Sequence, residues 1–131
     1  MKRDLKIFNM KNKLYQNLET VATISWLLMD FCWMSKYILI SCVMALIALT
    51  FSCCSIFFYK GKSKSETCML SASFFWILMN STWMCADIPG EEYLIDQAKI
   101  YFVISLIMVI IALIIAKIEN EKVDFKRLKL K

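Results

Sequence analysis

Residues 37–59 read YILISCVMALIALTFSCCSIFFY, an unbroken run without a single charge. Wound as a helix at about 1.5 Å per residue, this run is roughly 34 Å long, enough to cross the hydrocarbon core of a bilayer. Lipid offers no hydrogen-bond partners, so a spanning segment has to satisfy its backbone internally, and a helix does so. Working outward, three more apolar blocks stand between short charged runs: Thr20 to Ser35, Thr67 to Ala86, and Ile100 to Ala116. The fold class predicted is all-α, a four-helix transmembrane bundle.

Composition points the same way. Of 131 residues, 60% are apolar and the mean hydropathy is +0.57, against roughly 45–50% apolar in soluble domains. Two Gly and one Pro leave little turn chemistry for a sheet. The first block follows Lys2, Arg3, Lys6, Lys11 and Lys13 as a signal peptide would. It contains Asp30, however, lacks a small-x-small cleavage site and runs straight into a second span, so it is read as retained.

Charge sets the expected orientation. The arm before the first block carries five Lys or Arg, the middle loop has Lys60, Lys62 and Lys64, and the tail has six. Only Lys36 and Lys99 fall on the opposite face, a split of 14 against 2. By the positive-inside rule both termini are cytoplasmic, in a plasma (inner) membrane. The layout is a basic arm at 1–19, a hairpin at 20–59, a cytoplasmic loop at 60–66, a second hairpin at 67–116 and a basic tail at 117–131. An acidic outer loop at 87–97 lies inside the second hairpin and starts at the Pro89-Gly90 turn signal. The arm also suits a surface helix that dips Leu5, Phe8, Leu14 and Leu18 into the interface. The net charge of +5 therefore reads as topogenic, with attraction to anionic headgroups of about 1 kcal/mol per basic residue, and not as a nucleic-acid signal. The expected partner is the lipid bilayer, together with a second copy or another membrane protein.

Two pairs of segments match. Residues 26–34, WLLMDFCWM, align with residues 76–84, WILMNSTWM, so that Trp26, Met29, Trp33 and Met34 meet Trp76, Met79, Trp83 and Met84. Residues 37–49, YILISCVMALIAL, align with 101–113, YFVISLIMVIIAL. The first match has an offset of 50 and the second 64, which puts 14 extra residues in the second outer loop. A tandem duplication of a hairpin follows, with both units in the same orientation and a pseudo-two-fold axis along the membrane normal.

At about 100° per residue, the recurring positions form stripes. Trp26, Trp33, Trp76 and Trp83 are expected to face the bundle, the outer two also suiting an aromatic belt. Small Ser41, Ala48, Ser105 and Ala112 are expected at close helix contacts. Asp30 and its counterpart Asn80, with Thr23 and Ser73 two turns inward, are the candidate polar layer within the membrane. A carboxylate at mid-span is disfavoured by about 2.5–3.5 kcal/mol unless it is paired or hydrated, and by less toward an end; Asp30, six residues before Lys36, lies in the outer half. Two readings follow: an interhelical hydrogen bond that holds the hairpins together, or the lining of a proton or cation path.

Cys53, Cys54 and Cys68 are the weak candidates for a soft-metal site, without a CxxC motif or any His to support them. Cys32 and Cys85 are a candidate disulfide on the outer side. No cofactor is implied. Without a His, a Gly-rich phosphate loop or a nucleophile with its base, the expectation is a non-enzymatic structural or interaction subunit. The alternative is a small transporter or channel for a cation or small solute that uses the Asp30/Asn80 layer.

Overall fold

Helix α1 runs Lys2–Met34, α2 Ile38–Phe58, α3 Lys64–Ala86 and α4 Leu94–Lys129. The structure, a computed structural model, describes residues 2–59, 63–87, 91 and 93–129, with side chains described at residue 10 and across 13–120 of that range. Pro89-Gly90, Lys60, Lys62, Glu92 and the last two residues of the tail lie outside it, as do the side chains of Leu5 and Phe8. Among the described residues the chain is all-helical. Three of its helices are long and apolar enough to cross a membrane: Ile38–Phe58, Lys64–Ala86 and Leu94–Asn120.

The expected arm and tail are not separate elements. With no Gly or Pro to break it, α1 continues from Lys2 through residue 19 into the apolar block, and the same holds for α4 across residue 117. A surface helix that turns away from the first block is therefore not what forms. Helix α4 also starts inside the stretch read as the 87–97 loop, with Asp96 in its first turn at the positive end of the helix dipole.

Between α1 and α2 the chain reverses in three residues. Lys36 adopts a positive φ of 63°. Its N–H reaches the Trp33 carbonyl at 2.9 Å, and that of Tyr37 reaches Cys32 at 2.8 Å. This is the Schellman arrangement, here with a lysine where glycine is usual. Ser63 starts α3, its hydroxyl accepting from the Glu66 N–H at 3.3 Å.

Helix α1 packs along α2, α3 packs along α4, and α2 against α3 joins the two hairpins. The seams are made of small residues at heptad spacing. In α2 the buried residues are Ser41, Ala45, Ala48, Ser52 and Ser55, which gives alternating steps of four and three and lets backbones approach closely. In the second hairpin Ala72, Met79 and Ala86 of α3 are buried, as are Ala98, Ser105 and Ala112 of α4. Serine hydroxyls bond across both seams. Ser41 donates to the Met29 carbonyl at 2.8 Å and Ser105 to that of Ala72 at 2.9 Å. Ser65 donates to Ala112 at 2.8 Å in the same register.

The two seams differ in one respect. The sequence match makes Met79 the counterpart of Met29, yet Ser105 bonds Ala72, seven residues short of it. Helix α4 thus sits about two turns, or roughly 10 Å, further along α3 than α2 does along α1. A heptad seam looks alike after a shift of seven, and the longer connection between α3 and α4 leaves room for the slide. The strict pseudo-two-fold arrangement predicted from the matched segments is not what the helices adopt.

Candidate functional site

Helix α3 buries two faces. Leu70, Ile77, Ser81 and Met84 point to the first hairpin, where Met29, Ala45 and Met84 form a core flanked by Trp26, Trp33, Cys42 and Met44. Ala72, Met79 and Ala86 point to α4. Between these faces runs a third strip, Met69, Ser73, Trp76, Asn80 and Trp83, that no helix covers. It is the floor of a groove with α1 on one flank and α4 on the other.

Two cavities divide the groove. One, of about 290 Å³, is lined by Thr23 and Trp26 of α1, Ser73, Trp76 and Ile77 of α3, and Ser105 and Val109 of α4 among others. The second, of about 560 Å³, lies between α3 and α4, bordered by Trp76, Asn80, Trp83, Ala98, Lys99 and Phe102. Trp76 belongs to both, and its ring packs against Phe102 at a centroid distance of 6.1 Å.

The polar residues named from the sequence are therefore only partly assembled. Thr23 and Ser73 share one cavity, and Trp26 and Trp76 meet there too. Asp30 and Asn80 do not bond to each other. The Asn80 amide donates to the Trp76 carbonyl of its own helix at 3.2 Å. Asp30 is half-buried, follows Trp26 by one turn on the same flank of α1, and has no hydrogen-bond or ion-pair partner among the described residues. Its helix neighbours Leu27, Phe31 and Met34 are exposed. The buried contact between α1 and α3 falls one position along on each helix, where the Ser81 hydroxyl points to the Met29 sulfur at 3.7 Å.

The tryptophans divide by hairpin. Trp26 and Trp33 pack on the core; the Trp26 indole N–H is buried without a partner among the described residues, and the Trp33 indole N–H donates to the Asp87 carboxylate at 3.0 Å. Trp76 and Trp83, expected to face the bundle, are instead 39% and 51% exposed along the groove. Helix α4 covers the Ala72/Met79 face, and among the described residues the Trp strip has no counterpart of α3, which packs beside Trp26 and Trp33 in the first hairpin. Ser41, Ala48, Ser105 and Ala112 are all buried in the seams. Cys53, Cys54 and Cys68 are partly buried and free, and among the described residues no three metal-ligating side chains converge. Cys32 and Cys85 are also free.

Two polar features had no sequence reading. At the Ser63 end of the bundle all four helices are tied together. Tyr15 packs against Tyr59 with ring centroids 5.0 Å apart, the Tyr59 hydroxyl donates to Glu66, and Ser63 donates to Glu119 of α4 at 2.9 Å. Burial, with a hydrogen bond and repulsion from Glu19, holds the Tyr15 phenol well above its ordinary pKa, so it stays protonated. Just inside this collar a cavity of about 40 Å³ between α1, α2 and α3 is lined by Glu19, Thr23, Ser52, Ser55 and Ser73. The i, i+3, i+4 spacing of Glu19 with Thr23, and of Ser52 with Ser55, was the available signal. Hydroxyls in an apolar run pass for space-fillers when only one helix is read at a time.

No family model matches the chain, and no curated protein or solved structure matches it. Function has to be argued from the groove and the cavities.

Proposed function

We propose that the protein is a four-span integral membrane protein of non-enzymatic, interaction type, and that it self-associates through the α1–α3–α4 groove. The observation that carries this reading is Asp30: a half-exposed carboxyl on an apolar helix flank, unpaired among the described residues and bordering neither of the two cavities of the groove. Facing lipid it is disfavoured by up to about 2.5–3.5 kcal/mol, the mid-span value that falls toward a helix end, so a bilayer favours a state that covers it. Within the chain Asp30 on α1 and Asn80 on α3 make no hydrogen bond to each other. A two-fold dimer makes that contact twice, since an isologous interface pairs residue i with j and j with i. Trp76 and Trp83 supply the large exposed surface such an interface buries.

In this reading α1 crosses the membrane as the fourth span, paired with α2, and both termini and the 60–66 loop are cytoplasmic. The hairpins descend from one duplicated unit whose second copy slid by a heptad. The transport alternative draws less support from the Asp30/Asn80 layer, because Asn80 lines one of the two groove cavities and Asp30 lines neither. What favours it is the small cavity at Glu19, which shares Thr23, Ser73 and Ile77 with the groove.

Subunit counting on protein reconstituted at high lipid excess tests the proposal. Wild type should count as two copies, and Asp30→Leu, which removes the need for cover, should count as one. A wild type that counts as one copy, or an Asp30→Leu variant that still counts as two, would overturn it.

A further inference from the structure

Helices α2 and α3 are joined by a short connection and packed together, so they run antiparallel. At the Lys36 end of their seam the Ser41 hydroxyl meets the Met84 sulfur at 2.9 Å. Each of these residues is followed by a cysteine, Cys42 on α2 and Cys85 on α3. One residue further along a helix is a turn of about 100°. In two antiparallel right-handed helices that turn carries both chains to the same side of their contact. Cys42 and Cys85 therefore flank the Ser41–Met84 contact together. Two observations agree: Cys42 packs on the core to which Met84 belongs, and its thiol lies within electrostatic reach of the Cys85 thiol. Small Ser41 and Ala45 let the α2 backbone approach its neighbours, as a disulfide with Cα atoms about 5.5–6 Å apart requires.

Their depth suits oxidation. Cys85 is the last residue but one of α3, and the Glu91 carboxylate of the α3–α4 connection lies near it. Cys42 is about one turn inside the start of α2, and both cysteines are only partly buried. In the orientation proposed above this end faces outward, where disulfides form and persist, whereas Cys53, Cys54 and Cys68 lie toward the reducing cytoplasm. We propose that Cys42 and Cys85 are a disulfide site that locks the two hairpins together, in place of the Cys32–Cys85 pair expected from the sequence. The oxidant is the disulfide of a thiol–disulfide oxidoreductase in the outer compartment. The Cys85 thiolate attacks that disulfide and releases one of its sulfurs; Cys42, deprotonated in turn, attacks the Cys85 sulfur and releases the other. The Cys42–Cys85 bond forms, the acceptor's S–S bond breaks, and two electrons and two protons pass to the acceptor as its two thiols. The bond lies within one chain and is independent of self-association, but it rests on the proposed orientation.

Alkylating the full chain in its native membranes, then digesting it without reductant for mass spectrometry, tests this. A peptide pair linked through Cys42 and Cys85 is expected, with Cys53, Cys54 and Cys68 alkylated. Reductant should lower the unfolding temperature of wild type by roughly 5 °C or more and leave that of Cys42→Ser unchanged. Alkylation of both Cys42 and Cys85, or a bond from Cys85 to Cys32, would overturn the proposal. Adding copper–phenanthroline to the same membranes separates the causes. No Cys42–Cys85 bond even then means that the thiols do not meet. A bond that forms only then overturns the native disulfide alone, and labelling of positions 87–97 from outside tells whether the orientation has failed with it.

Discussion

Lys36 shows what a single residue carries here. It terminates α1 in the left-handed region at φ 63°, where a side chain is disfavoured by about 1–2 kcal/mol and glycine is not. Lys36→Gly is expected to stabilise the first hairpin by about 1 kcal/mol, read as a higher unfolding temperature in detergent. No gain would mean that the turn is not as tight as described. In the sequence Lys36 was legible as a charge between two apolar runs; its backbone role was not, because the usual glycine marker is missing. Ser41 is the opposite case. Its recurrence as Ser105 marked it as a packing residue, and both serines bond a carbonyl of the neighbouring helix. Ser41→Ala should lower stability by about 0.6 kcal/mol, the usual size of an interhelical hydrogen bond within a membrane.

At the scale of elements, the four helices were legible and their pairing register was not. Charge-free length places a span, and periodicity shows which side of it recurs. Neither says how far one helix is displaced along another. A heptad seam fits equally well after a slide of seven, and only the bonds from Ser105 to Ala72 and Ser65 to Ala112 reveal which register the second hairpin takes. Trp76 and Trp83 open onto a groove for another reason: α3 lies beside Trp26 and Trp33, and among the described residues no helix lies against the matching strip of α3. Backbone proximity along the seams makes them intolerant of bulk. Ala48, at 0% exposed, and Ala112, at 1%, have no room for the three extra carbons of a leucine. Ala48→Leu and Ala112→Leu should each destabilise by about 1–3 kcal/mol in thermal unfolding, and Leu106→Ala on the exposed side of α4 by far less. Equal effects at all three positions would contradict the seams.

For the whole molecule, helix content and apolar length are settled by the structure, while orientation rests on the charge split. Cysteine labelling of intact cells should reach positions in 87–97 and not Lys64; the reverse would invert the topology. The groove and the small cavity share one origin. Each is built from side chains on three helices, so no single stretch of sequence displays it. Asp30 could be singled out because a carboxylate in an apolar run is conspicuous, but its neighbours could not be read from α1 alone. The central claim is that Asp30 is covered by a second copy through Asn80. Disulfide cross-linking in membranes tests it most directly. In a background freed of its native cysteines, chains carrying Asp30→Cys would be co-expressed with chains carrying Asn80→Cys, and Leu106→Cys would serve as the lipid-facing control. The account predicts abundant dimers cross-linked between positions 30 and 80. Cross-linking no more frequent than the Leu106→Cys control would contradict it.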